Sequence, residues 1–142
     1  MDAPEGRPGD ANWEDAFWYR GGVEPGTPGV ATVAGHLDNT LGQPAAFWNI
    51  RQLVGGDLVE VLDQRTGITS RFHIADRAVY DLAQVATHEV LTRMFGAGTV
   101  DGKAPQVPAD GLPRLTLITC TGRFVNGEYD HRLVLYAVGD TT

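Results

Sequence analysis

The sequence predicts a mainly β domain, a small barrel or sandwich, from three observations. Short apolar runs of strand length recur along the chain, at 30–34, 57–62, 68–75, 115–119 and 132–138. Turn formers separate them, with 18 glycines and 8 prolines among 142 residues. Beyond an aromatic cluster near the start, helical spacing shows only in short stretches. The chain is 42% apolar, with 3 Trp, 5 Phe and 4 Tyr, enough for one core and too short for two.

Residues 1–29 hold Pro4, Pro8, Pro25 and Pro28 among glycines and read as an extended approach segment. Trp13, Phe17, Trp18 and Tyr19 interrupt it, and such a cluster packs the segment against the domain, with a helical turn expected over 12–18. Residues 30–142 then form the folded unit. Phe47, Ile50 and Leu53 recur at helical spacing before Gly55-Gly56, which predicts a short helix with a glycine stop. The strands 57–62 and 68–75 flank Asp63-Gln64-Arg65-Thr66-Gly67, a turn suited to a hairpin. Residues 81–114 break the strand pattern. There Thr87 can cap a helix carrying Val90, Leu91, Met94 and Phe95 up to Gly96. The last two strands, 115–119 and 132–138, are joined by a segment containing Gly122, Asn126 and Gly127.

Charge excludes some functions. Eighteen acidic against 11 basic residues give a net charge of -7 with no basic run, so no nucleic-acid partner is expected. No stretch is long and apolar enough to span a membrane, and Met1-Asp2-Ala3-Pro4-Glu5-Gly6 lacks the regions of a signal peptide, so the expectation is a cytosolic chain or one separated from its anchor. One cysteine excludes an internal disulfide and a cysteine-only zinc site. No segment spaces its acidic residues as a calcium loop does, and neither a metal nor a cofactor is expected.

The reactive candidates lie at strand ends. Cys120 closes the run Leu115-Thr116-Leu117-Ile118-Thr119, Arg132 opens Leu133-Val134-Leu135-Tyr136-Ala137-Val138, and His36 follows Val30-Ala31-Thr32-Val33-Ala34 after Gly35. A thiolate is a nucleophile, an imidazole moves protons and a guanidinium holds a developing oxyanion, which together make an acyl-transfer set. A lone cysteine also serves as a small buried hydrophobe. Its place at the end of a run, before Thr121-Gly122, favours a thiol facing a cleft. Strand alternation puts Cys120 with Thr116 and Ile118, and Arg132 with Val134, Tyr136 and Val138, while His131 falls on the opposite face from Arg132. His36 has a bland alternative as a turn residue, and Asp38 either partners its imidazole or caps the backbone. His73 falls on a solvent-facing strand position and His88 at the start of a short helix, neither at metal-ligand spacing.

Thr116-Leu117-Ile118-Thr119-Cys120 followed by Arg132 resembles the T-L-x-T-C...R signature of sortases, the cysteine transpeptidases of Gram-positive cell surfaces. Ala34-Gly35-His36-Leu37-Asp38 resembles the histidine segment of the same family, and Ala46-Phe47-Trp48-Asn49-Ile50 before Gly56-Asp57-Leu58-Val59-Glu60-Val61 resembles its short helix entering a central strand. The resemblance implies a single eight-stranded β-barrel with short helices and a catalytic set of His36, Cys120 and Arg132. Thr119 and Thr121, flanking the cysteine, are then the expected substrate contacts. It implies cleavage of a Leu-Pro-x-Thr-Gly-like sorting signal between Thr and Gly, through a thioacyl intermediate on Cys120, and transfer to an amine of a peptidoglycan precursor or a pilin. It also implies a monomer on the extracellular face of a Gram-positive membrane, its native anchor absent from this chain. Residues 81–114 take the place of the connection that walls the family's substrate groove. The tail Thr121-Gly122-Arg123-Phe124-Val125-Asn126-Gly127-Glu128-Tyr129 most resembles the actinobacterial class F, with class E second because its usual His-Pro pair after the cysteine is absent. The alternatives are a cysteine hydrolase on the same scaffold and a non-enzymatic surface module with an inert thiol. An L,D-transpeptidase would carry His-Gly-x close before its cysteine, and this chain does not.

Overall fold

The structure, a computed structural model, describes residues 16–38 and 41–140. Among them six strands, β1 (Ala16–Trp18), β2 (Gly29–Gly35), β3 (Leu58–Leu62), β4 (Thr69–Asp81), β5 (Pro113–Val125) and β6 (Glu128–Gly139), form one sheet in the order β1-β2-β5-β6-β4-β3. β2 and β5 run parallel and every other neighbouring pair is antiparallel.

Alternation gives each strand two faces, and the sheet curls around one of them. Ala31, Phe72, Ile74, Leu115, Leu117, Leu133, Leu135 and Ala137 fill the concave side, with Val33, Val59 and Val61 packed against them. The edge strands β1 and β3 face each other across a cleft of ≈ 520 Å³, bounded by Trp18 and Val33 on one side and Val61 and Leu62 on the other. The result is a half-barrel. One end is closed by the 3-10 helix Trp48–Gln52, because Phe47, Ile50 and Leu53 at its flanks and centre pack onto the concave core. Arg77 extends to the same end, where Nη1 donates to the carbonyls of Arg51 at 2.6 Å and Leu53 at 3.3 Å, satisfying groups a helix terminus leaves unpaired.

Two helices lie on the convex side, α1 (Leu82–Val85) and α2 (His88–Phe95). Asp81 and Gln84 make a capping box on α1, and the Thr87 hydroxyl caps α2 by accepting from the Val90 amide at 3.3 Å. Met94 of α2 is buried against Val134 and Tyr136 of β6 in a second, smaller apolar cluster. Thr32 Oγ1, fully buried, donates to the Met94 carbonyl at 2.8 Å and ties α2 to β2. No helix among the described residues is long and apolar enough to cross a membrane.

Several sequence expectations change. The implied count of eight strands meets six among the described residues, where β4, 13 residues long, pairs with β3 over Thr69–His73 and with β6 over Phe72–Asp81. β4 outlasts its alternation because a bulge at Ala75 shifts the register between Ile74 and Asp76 and swaps the faces of all later residues. The helical turn expected over 12–18 is a strand where it is described, since Ala16–Trp18 pairs with Val33–Gly35, and 12–15 lie outside the described residues, as does Trp13. The helix expected at 47–53 is the 3-10 helix above. β5 does not stop before the thiol, and Cys120 sits within it.

Candidate active site

The register places the convex face in rows across the sheet. Cys120 of β5 is opposite Arg132 of β6, and Arg132 is opposite Tyr80 of β4. One step along, Ile118, Val134 and Ala78 form the next row, joined on the other side by Ala34 of β2 and Phe17 of β1. Directly paired residues share a face, so Cys120 and Arg132 both project from the convex side. His36 follows Ala34 by two residues, as Cys120 follows Ile118, and so comes level with the thiol at the end of the parallel neighbour. Cys120 and Arg132 therefore share one face at one end of the sheet, and His36 lies just past the end of the neighbouring β2 toward that end. Beside them Ile118 and Ala78 are half-buried and Val134 is fully buried against Met94 of α2.

Each reactive residue is held by its neighbours. The carbonyl of His36 accepts from the Phe47 amide at 2.9 Å and that of Leu37 from the Ala45 amide at 3.0 Å, while Leu37 itself is buried. The Phe17 ring meets the His36 ring edge to face at 6.4 Å. Arg132 Nη1 donates to the carbonyls of Tyr129 at 2.9 Å and His131 at 3.0 Å, and Nη2 lies 4.0 Å from Glu128. Beyond Cys120 the β5–β6 register breaks between Thr121 and Phe124, at Gly122 with φ +90. The Asp130 carboxylate closes that bulge by accepting from the Arg123 amide at 2.8 Å and the His131 ring at 2.6 Å. The strands then turn through Asn126 and Gly127, both at positive φ (53 and 86), as a two-residue hairpin requires.

Burial pushes the Cys120 thiol above its ordinary value, the Arg132 guanidinium pulls it back, and the carboxylates of Asp38 and Glu128 add to the rise. The thiol is partly accessible. Thr119 is buried on the concave face, where its hydroxyl donates to the Gly35 carbonyl at 2.8 Å, and Thr121 is half-buried opposite His131. Asp38 accepts at Oδ2 from the Tyr129 hydroxyl at 2.6 Å. Sequence reasoning passed over Tyr129 and Tyr80, and spacing carried no signal for either, because both reach the site through strand register. His73 pairs with Asp140 and His88 with Asp101, both away from this row. Among the described residues no group of 3 or more His, Cys, Asp or Glu is placed to hold a metal ion. A larger cleft of ≈ 720 Å³, lined by Gly26, Ser70, Arg71, Asp110 and Asp140, lies at the opposite end of the sheet and holds none of the three reactive residues. Neither cleft holds a reactive residue, so the chemistry rather than the cleft volume marks the site.

Residues 3–140 match the sortase domain family. The sortase A of Corynebacterium diphtheriae is similar over 89% of this chain and 48% of its own, with 21% identity and a TM-score of 0.59. Sortase C-1 of Actinomyces oris is similar over 83% of this chain and 53% of its own, with 23% identity and a TM-score of 0.54. The sortase D5 transpeptidase of Clostridium perfringens is similar over 89% and 62%, with 17% identity and a TM-score of 0.61. At these identities the likeness is one of fold, and the chain spans roughly half the length of the first two solved structures. No curated protein matches the sequence.

Proposed function

Since this chain belongs to the sortase domain family, matched over residues 3–140, we propose that it is a cysteine transpeptidase that cleaves a Leu-Pro-x-Thr-Gly-like sorting signal between Thr and Gly. The observation that carries the reading is the Cys120–Arg132 pair across the β5–β6 ladder, with His36 just past the end of the neighbouring β2. Residues 30–142 are the catalytic domain, and 1–29 its approach segment.

In the first half-reaction the Cys120 thiolate adds to the threonine carbonyl carbon. Negative charge moves to the carbonyl oxygen, where the Arg132 guanidinium and backbone amides at the Thr121–Gly122 bulge stabilise it. Protonated His36 gives its proton to the glycine nitrogen as the C–N bond breaks, leaving a thioester on Cys120. In the second half-reaction an amine adds to the thioester, neutral His36 takes its proton, and the thiolate leaves. Thr119 and Thr121, the expected substrate contacts, reach the acyl group through their backbone only, because alternation turns both side chains to the face opposite Cys120. Residues 81–114, which contribute α1 and α2, wall the substrate groove and set preference.

The finer reading is a class F enzyme, class E second, on a barrel of the eight-stranded type. It acts as a monomer at the extracellular face of a Gram-positive membrane. Its partners are the sorting signals of surface proteins and an amine on a peptidoglycan precursor or a pilin. Mixing the protein with a Leu-Pro-x-Thr-Gly peptide set and an amine, then reading products by mass spectrometry beside Cys120→Ala, tests it. A threonine–amine product lost in Cys120→Ala is the expected result. Free acid alone would point to a cysteine hydrolase or to the wrong acceptor, and no Cys120-dependent product from any peptide would leave a non-enzymatic module.

A further inference from the structure

Tyr129 closes the tail Thr121–Tyr129 and lies outside the His36, Cys120 and Arg132 motifs, yet it bonds to two of the segments that build the site. Its carbonyl accepts from Arg132 Nη1 at 2.9 Å. Its hydroxyl donates to Asp38 Oδ2 at 2.6 Å, across 91 positions of sequence. Asp38 lies two residues past His36 and is itself bridged to Pro44, so the His36 segment is anchored at that point. The Phe124 ring packs edge-on to the Tyr129 ring at 5.3 Å and limits its swing. The Asp38 bond, helped by burial, holds the Tyr129 phenol up at about 12, which keeps the donor proton in place throughout the neutral range.

Both half-reactions need the imidazole over the amine nitrogen and the guanidinium over the carbonyl oxygen at the same moment. β6 carries one of these groups and the segment after β2 the other, with β5 and its thiol between them. Relative drift of the two outer groups by roughly 1 Å is enough to cost on the order of a hundredfold in rate.

Resting on the transpeptidase reading above, we propose that Tyr129 is a positioning residue that sets the separation of His36 and Arg132 across Cys120, holding Asp38 through its hydroxyl and Arg132 through its carbonyl. The hydroxyl is the half of this clamp that substitution can remove. Tyr129→Phe deletes the donor and keeps the ring, and Asp38→Ala deletes the acceptor.

A double-mutant cycle on turnover decides it, each variant being assayed where near-UV circular dichroism shows it folded. Tyr129→Phe is expected to lower kcat by on the order of tenfold to a hundredfold while KM moves little, and the double variant to be no slower than the worse single one. Wild-type kcat in Tyr129→Phe, or losses that multiply in the double variant, overturns the proposal. The imidazole resonances of His36 supply a readout that needs no substrate. If the wild-type chain forms no Cys120-dependent product, the transpeptidase reading falls by itself. His36 shifts or line widths altered by Tyr129→Phe then still support the clamp, and unaltered ones overturn it.

Discussion

The Thr119 hydroxyl donates to the Gly35 carbonyl at 2.8 Å, so the residue before the thiol is bonded to the residue before the imidazole. Thr119 is 2% exposed, and no water competes for that bond. It joins β2 to β5 at the level where the parallel ladder ends, and it lies on the face opposite to the chemistry.

Thr119→Val keeps the branched shape and removes the donor, leaving a buried carbonyl unpaired. Stability should fall by about 1–3 kcal/mol in urea unfolding. Turnover should drop more than stability alone explains, since His36 loses a tether next to it. An unfolding midpoint equal to that of wild type would show that the Gly35 carbonyl finds another partner.

Because burial raises the Cys120 thiol above its ordinary 9.0, its alkylation by iodoacetamide should be slow at neutral pH and should rise through a midpoint above that value. Arg132→Ala removes the cation that opposes the shift and should move the midpoint higher still, whereas Asp38→Asn removes a nearby negative charge and should lower it. Midpoints that move the other way would place the charges wrongly around the thiol.

Arg132→Lys keeps a positive charge but loses the planar fork, of which Nη1 already serves two carbonyls. A loss in kcat of about 10²–10³ is expected with peptide binding little affected, as for removal of an oxyanion donor. Steady-state kinetics separate the two, and a change confined to KM would assign Arg132 to binding.

The bond from Tyr129 to Asp38 predicts a pH dependence of stability. The folded phenol is raised, chiefly by that hydrogen bond, from 10.0 to about 12, so its contribution is complete below 10.0 and is lost as pH climbs toward about 12. The stability of wild type relative to Tyr129→Phe should therefore shrink over that window and stay constant below it. A difference that grows with alkalinity would contradict the bond.

Gly122 sits at φ +90 in the bulge beyond the thiol, and a Cβ there would stand 2.2 Å from Asp130 Oδ1 and 2.8 Å from His131 Nδ1. Gly122→Ala should cost about 1–3 kcal/mol in thermal unfolding and displace the amides beside Cys120, with turnover reduced. Unchanged stability and turnover would mean that the bulge relaxes freely.

Alternation alone put Cys120 with Ile118 and Arg132 with Val134, and both pairs do share the convex face. Thr87 announced its helix as a hydroxyl three residues before the Val90 amide it caps. These features are local, set by side-chain period and by backbone groups within a turn, and composition sufficed to call the chain mainly β. Three things lay beyond that reach. Ala75 shows no sign in the sequence of being the bulge that reverses the later faces of β4 and brings Tyr80 opposite Arg132. Ala16–Trp18 is a strand because β2 offers it a partner, against an aromatic spacing that reads as a helical turn. Asp38, a neighbour of His36 in sequence, answers to a hydroxyl 91 positions away. Strand period and caps are written within a few residues, but register, bulges and cross-chain hydrogen bonds are settled only when distant segments compete for one another in the folded sheet.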